Sequence, residues 1–256
     1  MRERVEIDGA TPAPDQLQAR MLHGYGHFTA MQVRGGRVRG LDLHLARLTQ
    51  ANAELFGAGL DADLVIAWIR HALGPAADAS VRVYLQRPEP AQPPSVMVTV
   101  RPPGEMPASM TLQAVPYQRS VAHIKHLDDF GQHYYGEVAR RNGRDEALLT
   151  GPDGLISEGS ITNLGCFDGA AVVWPAAAML RGITMQVLER ELGRQGVPVR
   201  YSPLRVADLP GFRSVFLTNS RGIAVAVSVD GAPLPADEQF ARQLAGIYQD
   251  APWDEL

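Results

Sequence analysis

Short runs in which apolar and polar residues alternate constrain this chain most, because a period of two fits a half-buried β-strand and not a helix. SVRVYLQ (80–86), SVMVTVRP (95–102) and MTLQAVPY (110–117) follow this pattern and predict three strands. MQVRGG (31–36), followed by RVRGLDLHL, predicts a strand, a tight Gly-Gly turn and a second strand.

Two helices are predicted between these strands. Asp42 can cap the first, which Gly57 ends, and Asp61 begins the second, which ends before Gly74. The predicted buried stripes are Leu45, Leu48 and Leu55 in the first helix and Leu64, Trp68 and Ala72 in the second. The first 116 residues therefore predict a small α+β unit.

After Lys125 the period of the apolar residues changes. A helix ending at Asn142-Gly143 is predicted from the spacing of Leu127, Phe130, Tyr134 and Val138. The remaining elements predicted are a hairpin of EALLT (146–150) and LISEG (155–159), two short strands in CFDGAAVVW (166–174), a helix from Ile183 to Gln195, and the strands SVFLTNS (214–220) and IAVAVSVDG (223–231).

Composition excludes several classes of function. The formal net charge is -4 and no basic stripe occurs, so nucleic acid is not an expected partner. A single cysteine excludes an internal disulfide, and no spacing of histidine, cysteine and carboxylate predicts a metal site. We expect no signal peptide and no membrane span, because no apolar run is long enough. These features are typical of a cytoplasmic enzyme or binding protein.

The basic residues are distributed unusually, because only one of the 24 lysine and arginine residues is a lysine, Lys125. A genome that favours arginine codons explains the arginines but not the lysine that remains. Arginine can replace lysine as a surface cation, but it cannot lose a proton at usable pH and react with an aldehyde. Lys125 is therefore a candidate for amine chemistry, although its survival by chance is the ordinary alternative.

Three further segments have the chemistry that a phosphate-bearing carbonyl cofactor needs. SEGSITN places Glu158 among small residues, so that its carboxylate can approach a flat ring. GIT (182–184) presents free N–H groups at a helix start, and TNS (218–220) adds hydroxyls at a strand end. Each segment alone is more often a solvated charge, a plain helix start or a turn. It is their joint order that indicates a site.

The same segments resemble the fold type IV enzymes that use pyridoxal phosphate (PLP). These include D-amino-acid and branched-chain aminotransferases, (R)-amine transaminases and aminodeoxychorismate lyase. The matching segments are GYGHFTAMQV, HLARL, HIKHLDDF, DEALLTGPDGLISEGSITNLGCF, MLRGITMQVL and LTNSRGIAVAV, which together span most of the chain. The resemblance implies a two-domain α/β (α+β) fold like that of D-amino-acid aminotransferase. Its domains would be 1–116 and 122–256, joined by the linker 117–121.

What the resemblance implies for the site is equally specific. Lys125 would form the Schiff base with PLP, and Glu158 would face the pyridine nitrogen. Arg47, by default a surface cation, would hold the phosphate. The other residues implied to bind the cofactor are Asn163, Gly182, Ile183, Thr184, Thr218, Asn219 and Ser220.

Several positions depart from relatives within this group. Tyr25 stands where an aspartate is usual, Met185 follows GIT in place of an arginine, and Phe130 replaces a tyrosine of branched-chain enzymes. The loop that carries a carboxylate clamp in D-amino-acid enzymes contains only Arg87. The substrate pocket is expected to contain Phe28, Thr29, Arg87 and Phe130, and Phe28-Thr29 and Lys125-His126-Leu127 resemble the lyase.

The expected function is that of an aminotransferase. It would take a small amine or amino acid, with D or (R) selectivity, as donor and a 2-oxo acid as acceptor, in a homodimer. One alternative is elimination of pyruvate, as in aminodeoxychorismate lyase, and another is a PLP-binding protein without catalysis. Lys125 and Glu158 serve transamination and elimination equally, so they cannot separate the two reactions.

Overall fold

The computed structural model describes residues 3–22, 24–87 and 92–256. The chain divides into two compact units. The first comprises the described residues of Met1–Gly104 together with Ile124–Asp128 and Pro252–Leu256, and the second comprises Glu105–His123 and Asp129–Ala251. No helix among the described residues is both long and apolar enough to cross a membrane.

The secondary structure mixes helices with sheets throughout. In chain order the elements are β1 (Arg4–Ile7), α1 (Pro14–Leu22), β2 (Gly26–Val33), β3 (Arg37–Val38), α2 (Leu41–Phe56), α3 (Ala62–Leu73), β4 (Ala79–Gln86), β5 (Ser95–Arg101), β6 (Ser109–Pro116), α4 (Phe130–Arg141), β7 (Glu146–Thr150), β8 (Ile156–Gly159), β9 (Asn163–Phe167), β10 (Val172–Pro175), α5 (Ile183–Arg194), β11 (Val199–Ser202), a 3₁₀ helix (Val206–Gly211), β12 (Ser214–Asn219), β13 (Gly222–Val229), β14 (Ala232–Pro233), α6 (Glu238–Asp250) and β15 (Asp254–Glu255).

The first unit is built on a four-stranded antiparallel sheet in the order β1-β5-β4-β2. Helices α2 and α3 pack against its strands, and the side chains between them form one apolar core. Alternate residues of β4 and β5 point into this core, as the period of two predicts. The strands predicted at 80–86 and 95–102 are confirmed.

The helices of this unit are largely as predicted, with one correction to a helix end and one to a buried face. Asp61 caps α3 by accepting from the N–H of Leu64, and Gly57 ends α2 in a left-handed conformation. Asp42 does not cap α2, because the helix begins after Gly40 and Asp42 lies in its first turn. The predicted stripe of α3 is also wrong at Leu64, which is exposed; the residues buried on this helix are Val65, Ile69, Ala72 and Leu73.

The strand predicted for RVRGLDLHL is much shorter in the structure. Only Arg37–Val38 is extended, and the helix α2 has already begun at Leu41. The leucines of this segment fit a helical stripe as well as an alternating one, so its local pattern is ambiguous.

The second unit contains a mixed sheet in the order β11-β10-β9-β12-β13-β6-β7-β8, with β14 paired to β13. Parallel pairs join β10 to β11, β13 to β6 and β6 to β7, and the others are antiparallel. The strand β6 was predicted within the first 116 residues, yet both its partners belong to the second unit. The segment Ile124–Asp128, predicted after the linker, belongs to the first unit.

The helix α4 forms where it was predicted but presents a different face. Leu127 precedes it, and the predicted apolar residues Phe130 and Tyr134 are 76% and 49% exposed. The residues buried on α4 are the small Gly136 and Ala139. Spacing therefore located this helix but did not identify the side that packs. The hairpin β7–β8 and the elements β9, β10, α5, β12 and β13 are confirmed.

Asp254 supplies the cap that Asp42 was expected to give. Its carboxylate accepts a hydrogen bond of 2.9 Å from the N–H of Leu41, the first residue of α2. Asp254→Ala should destabilise the protein by about 1 kcal/mol, because a capping bond and a favourable charge at the helix start are lost. Urea unfolding measures this change. The control is Glu255→Ala, whose carboxylate lies 4.0 Å from Arg37 and should contribute little. Equal effects of the two variants would contradict this explanation.

Candidate active site

Lys125 lies half-buried in a segment that pairs with the start of β2. Its carbonyl accepts a hydrogen bond of 2.9 Å from the N–H of Phe28, and the N–H of Leu127 donates to the carbonyl of Gly26 at 3.0 Å. Nζ of Lys125 lies 4.7 Å from the centroid of the Phe28 ring, which stacks on Tyr84 at 5.3 Å. Two backbone hydrogen bonds therefore hold the lysine beside an aromatic wall within the first unit.

Arg47 lies on α2, and its guanidinium is buried within the first unit. Nη2 donates to the hydroxyl of Thr29 on β2, and burial lowers the pKa of Arg47 to about 9. Arg47 takes part in none of the ion pairs found among the described residues, and its buried Nε has no hydrogen-bond partner there. A desolvated cation with unused donors fits a phosphate group and does not fit an ordinary surface arginine.

Arg87 follows directly after β4 and is held by Phe56 at the end of α2. Its Nη2 donates to the carbonyl of Phe56 at 3.0 Å, and its guanidinium lies 5.2 Å from the centroid of the Phe56 ring. Arg87, which was expected in the substrate pocket, is therefore packed against Phe56 of its own unit. The rest of the predicted loop includes residues 88–91, which lie outside the described residues.

Glu158 lies on β8 of the second unit and is 5% exposed. One carboxylate oxygen accepts from Arg119 at 3.2 Å, and the other accepts from the N–H of Leu180 at 3.3 Å. Arg119 is also buried, so the two side chains form a buried ion pair. Such a pair fixes the carboxylate in one orientation, because both partners have been removed from water.

Asn163 on β9 ties down the segment before α5. Its amide nitrogen donates to the carbonyl of Leu180 at 2.7 Å, and its amide oxygen accepts from the N–H of Gly182 at 3.1 Å. A Cβ at Gly182 would lie 2.1 Å from that oxygen, so only glycine fits. Gly182 provides no side-chain cap to α5, so the first N–H groups of the helix, at Ile183 and Thr184, remain suited to an anion.

The predicted phosphate segments of the second unit come together. Thr184 at the start of α5 donates to the carbonyl of Asn219 at the end of β12 at 2.7 Å. Thr218 lies opposite Asn163 in the sheet, and its buried hydroxyl has no partner among the described residues. Ser220 follows in the turn between β12 and β13 and is half-buried. A hydrogen bond thus joins the start of α5 to the end of β12, the strand that also carries the buried Thr218 hydroxyl.

Two residues that differ from those expected in relatives, Met185 and Phe130, lie in the second unit. Met185 is fully buried in the apolar cluster that also contains Leu188 and Trp174. Phe130 is exposed at the start of α4 and stacks on Tyr134 at 6.2 Å. Met185 is therefore part of the apolar core, at the position where the resemblance implies an arginine. No cluster of three metal-ligating side chains occurs in the part of the chain that the structure describes.

Sequence reasoning missed Arg119 and His44. Arg119 lies in the predicted linker, 39 residues before Glu158, and nothing local in the sequence joins them. His44 precedes Arg47 by one helical turn, and its Nδ1 lies 2.6 Å from the hydroxyl of Thr29. The spacing of His44 and Arg47 on one helix face was the signal that could have identified the histidine.

Comparison with known proteins assigns this chain to a family. The model of the amino-transferase class IV family matches residues 26–228, which is most of the chain. The chain belongs to amino-transferase class IV. This confirms the resemblance to fold type IV enzymes, and PLP is the cofactor of that family. No curated protein compared with this class IV chain matches it significantly.

Solved structures agree with the class IV fold. A branched-chain aminotransferase of Thermoproteus uzoniensis, solved with norvaline, has a TM-score of 0.85 at 19% identity and covers 96% of this chain and 93% of its own. A hypothetical aminotransferase of Mycobacterium tuberculosis has a TM-score of 0.79 at 24% identity and covers 90% of each chain. A candidate 4-amino-4-deoxychorismate lyase of Legionella pneumophila has a TM-score of 0.80 at 18% identity and covers 91% of this chain and 93% of its own. Because these identities are low, the likeness shows a shared fold and no more.

Proposed function

We propose that this class IV protein binds PLP on Lys125 and transfers an amino group from a small amine or amino acid to a 2-oxo acid. One observation carries the proposal: the single lysine of the chain is fixed by backbone hydrogen bonds with its Nζ 4.7 Å from the Phe28 ring. An amine placed in this way can both hold a carbonyl cofactor and accept a proton.

Residues from several segments of the chain would hold the phosphate of the cofactor. Arg47 would do so because its buried guanidinium forms no ion pair with a carboxylate among the described residues. The other groups that would bind the phosphate are N–H groups and hydroxyls of Ile183, Thr184, Thr218, Asn219 and Ser220, whereas the N–H of Gly182 already donates to Asn163, so that Gly182 would act by shaping the start of α5. Asn163 would act indirectly, since its amide is already engaged by Leu180 and Gly182.

Glu158 and Lys125 would divide the remaining work. When bound, the cofactor supplies an electron sink for the negative charge that forms on the substrate carbon. Glu158, oriented by Arg119 and the Leu180 N–H, would hold a proton on the pyridine nitrogen. Lys125 would remove the α-proton of the amino donor. It would then deliver this proton to the carbon atom of the cofactor to which the amino group is transferred.

The substrate that we propose is a small (R)-configured amine or D-amino acid, with pyruvate or 2-oxoglutarate as acceptor. The aromatic wall of Phe28 and Tyr84 beside Lys125 favours a donor with an apolar side. Arg87 is engaged by Phe56, which argues against a D-amino-acid clamp and favours amines without a carboxylate. The Mycobacterium tuberculosis neighbour has been solved with α-ketoglutarate and PMP, in line with such an acceptor. From the family resemblance we also infer a homodimer, and the cytoplasmic location expected from the sequence remains part of this proposal.

A second candidate is elimination of pyruvate from aminodeoxychorismate. Phe28-Thr29 and Lys125-His126-Leu127 match the lyase pattern, and the Legionella pneumophila neighbour is a candidate enzyme of this kind. A third candidate, a PLP-binding protein without catalysis, would leave the buried pair of Glu158 and Arg119 without a catalytic use.

A substrate panel tests these candidates together. The purified protein is incubated with PLP, both enantiomers of small amines and amino acids, and pyruvate or 2-oxoglutarate, and keto products are measured. Aminodeoxychorismate is run in parallel, and pyruvate release is measured. We expect keto product from one enantiomer of a small donor. Pyruvate release without transamination of any donor would replace this proposal by the lyase, and no product from either assay would favour the non-catalytic protein.

A further inference from the structure

A buried polar cluster in the first unit consists of Arg47, Thr29 and His44. The guanidinium of Arg47 donates to the hydroxyl of Thr29, and Nδ1 of His44 lies 2.6 Å from the same hydroxyl. Thr29 is inaccessible to solvent and His44 is 3% exposed. Polar side chains this deeply buried are normally retained only when they are hydrogen-bonded, and here they bond to one another.

The direction of the hydrogen bonds follows from the chemistry of the three groups. Arginine has donors only, so the Thr29 oxygen accepts from Arg47 and its own proton is left for His44. We assign Nδ1 of His44 as the acceptor of that proton, and this tautomer requires a neutral ring. Burial lowers the pKa of His44 well below its usual range, and the charge of Arg47 lowers it further. The neutral ring is therefore the form expected at physiological pH.

The alternation of β2 separates Thr29 from its neighbour. Successive side chains of a strand point to opposite faces, so Phe28 and Thr29 cannot face the same side of the sheet. Phe28 lies beside Lys125, whereas Thr29 faces α2 and contacts Arg47 and His44. From the sequence, Thr29 was expected in the substrate pocket together with Phe28. Its hydroxyl contacts Arg47 and His44 instead, on the other face of the strand.

We infer that Thr29 and His44 are positioning residues for Arg47: the Thr29 hydroxyl orients the guanidinium toward the cofactor phosphate, and His44 orients that hydroxyl. The inference rests on the proposed function, because Arg47 is taken to bind the phosphate. One bond to Thr29 uses one of the five N–H donors of the guanidinium and leaves the others for the ligand. Without that bond the long side chain could adopt several rotamers, and phosphate binding would have to select one.

The test compares two ligands that differ only in the phosphate. Apoprotein is titrated with PLP and with pyridoxal, and the dissociation constants are compared between wild type and variants. Thr29→Val keeps the shape of the side chain but removes the hydroxyl, and it should weaken PLP about tenfold or more while leaving pyridoxal unchanged. Thr29→Ser should restore the affinity for PLP. His44→Phe should cause a smaller loss, about three- to tenfold, again only for PLP.

Two variants calibrate the measurement. Arg47→Ala should lose about ten- to a hundredfold in PLP affinity, which sets the scale for the loss of the phosphate contact itself. Thr99→Val is the matched control, because Thr99 is another buried threonine of the same sheet, on β5, with no hydrogen-bond partner for its hydroxyl among the described residues. It should bind both ligands like wild type.

The outcomes that overturn the inference are distinct from those that overturn the proposed function. Wild-type affinity of Thr29→Val for PLP, or an equal loss for PLP and pyridoxal, would show that Thr29 does not act through the phosphate. A raised KM for the amine donor with unchanged PLP affinity would return Thr29 to the substrate pocket. If the wild-type protein itself bound PLP no better than pyridoxal, the role of Arg47 and with it the proposed function would be wrong.

Discussion

Lys125→Arg should lose at least about 10²–10⁴-fold in turnover, the usual contribution of a general base alone. The guanidinium keeps a positive charge of similar reach, but it cannot give up its proton at usable pH or bond to the cofactor aldehyde. Single-turnover kinetics with the best donor of the panel, measured at saturating PLP, separates this loss from weaker cofactor binding.

A compensating variant controls for the loss of the only lysine. Lys125→Arg combined with Arg242→Lys keeps one lysine in the chain but places it on the outer face of α6, where the side chain of residue 242 is 73% exposed. This double variant should be as inactive as the single one, because only the position of Lys125 provides the chemistry. Turnover near that of wild type in either variant would exclude Lys125 as the catalytic base.

Glu158→Gln should keep the cofactor bound but slow removal of the α-proton by about 10²–10³-fold, the usual effect of removing one preorganised electrostatic group. A neutral amide cannot hold a proton on the pyridine nitrogen. The amide can still accept from Arg119, but its NH₂ group would face the N–H of Leu180 in place of a carboxylate oxygen. Stopped-flow measurement of proton removal from a deuterated and an undeuterated donor reports this step directly.

A second buried glutamate of the same unit gives the control. Glu146 accepts hydrogen bonds from the Ile161 N–H and from the hydroxyls of Ser160 and Thr162, and burial raises its pKa. Glu146→Gln preserves an oxygen that can accept these bonds, so turnover should remain close to that of wild type. If Glu158→Gln slowed the reaction no more than Glu146→Gln does, the ring partner would be a different residue.

Local sequence patterns predicted the elements well where the chain itself decides them. The alternation in β4 and β5 results from one buried face, and Asp61 and Gly57 act on their own helix ends. The candidate site residues were predicted from equally local features. Lys125 is the single lysine of the chain, and Glu158 lies among small residues in the motif SEGSITN. Those features require no knowledge of distant partners.

The features that sequence could not predict depend on residues far apart in the chain. The cap of α2 comes from Asp254, 213 residues after the N–H that it accepts. Arg119 reaches Glu158 across 39 residues, and β6 joins a sheet whose other strands follow it in the chain. The exposed side of α4 likewise shows that apolar spacing identifies a helix without identifying what covers it.

Peptide mapping after borohydride reduction tests the central claim most directly. Reduction converts the linkage between PLP and a lysine into a stable amine, and trypsin does not cleave at a lysine modified in this way. Because Lys125 is the only lysine, unmodified protein yields the peptides 120–125 and 126–140. We predict that the reduced holoprotein yields instead the uncleaved peptide 120–140 carrying one phosphopyridoxyl group. Full recovery of unmodified 120–125 and 126–140 from protein reduced in the presence of excess PLP would contradict the account.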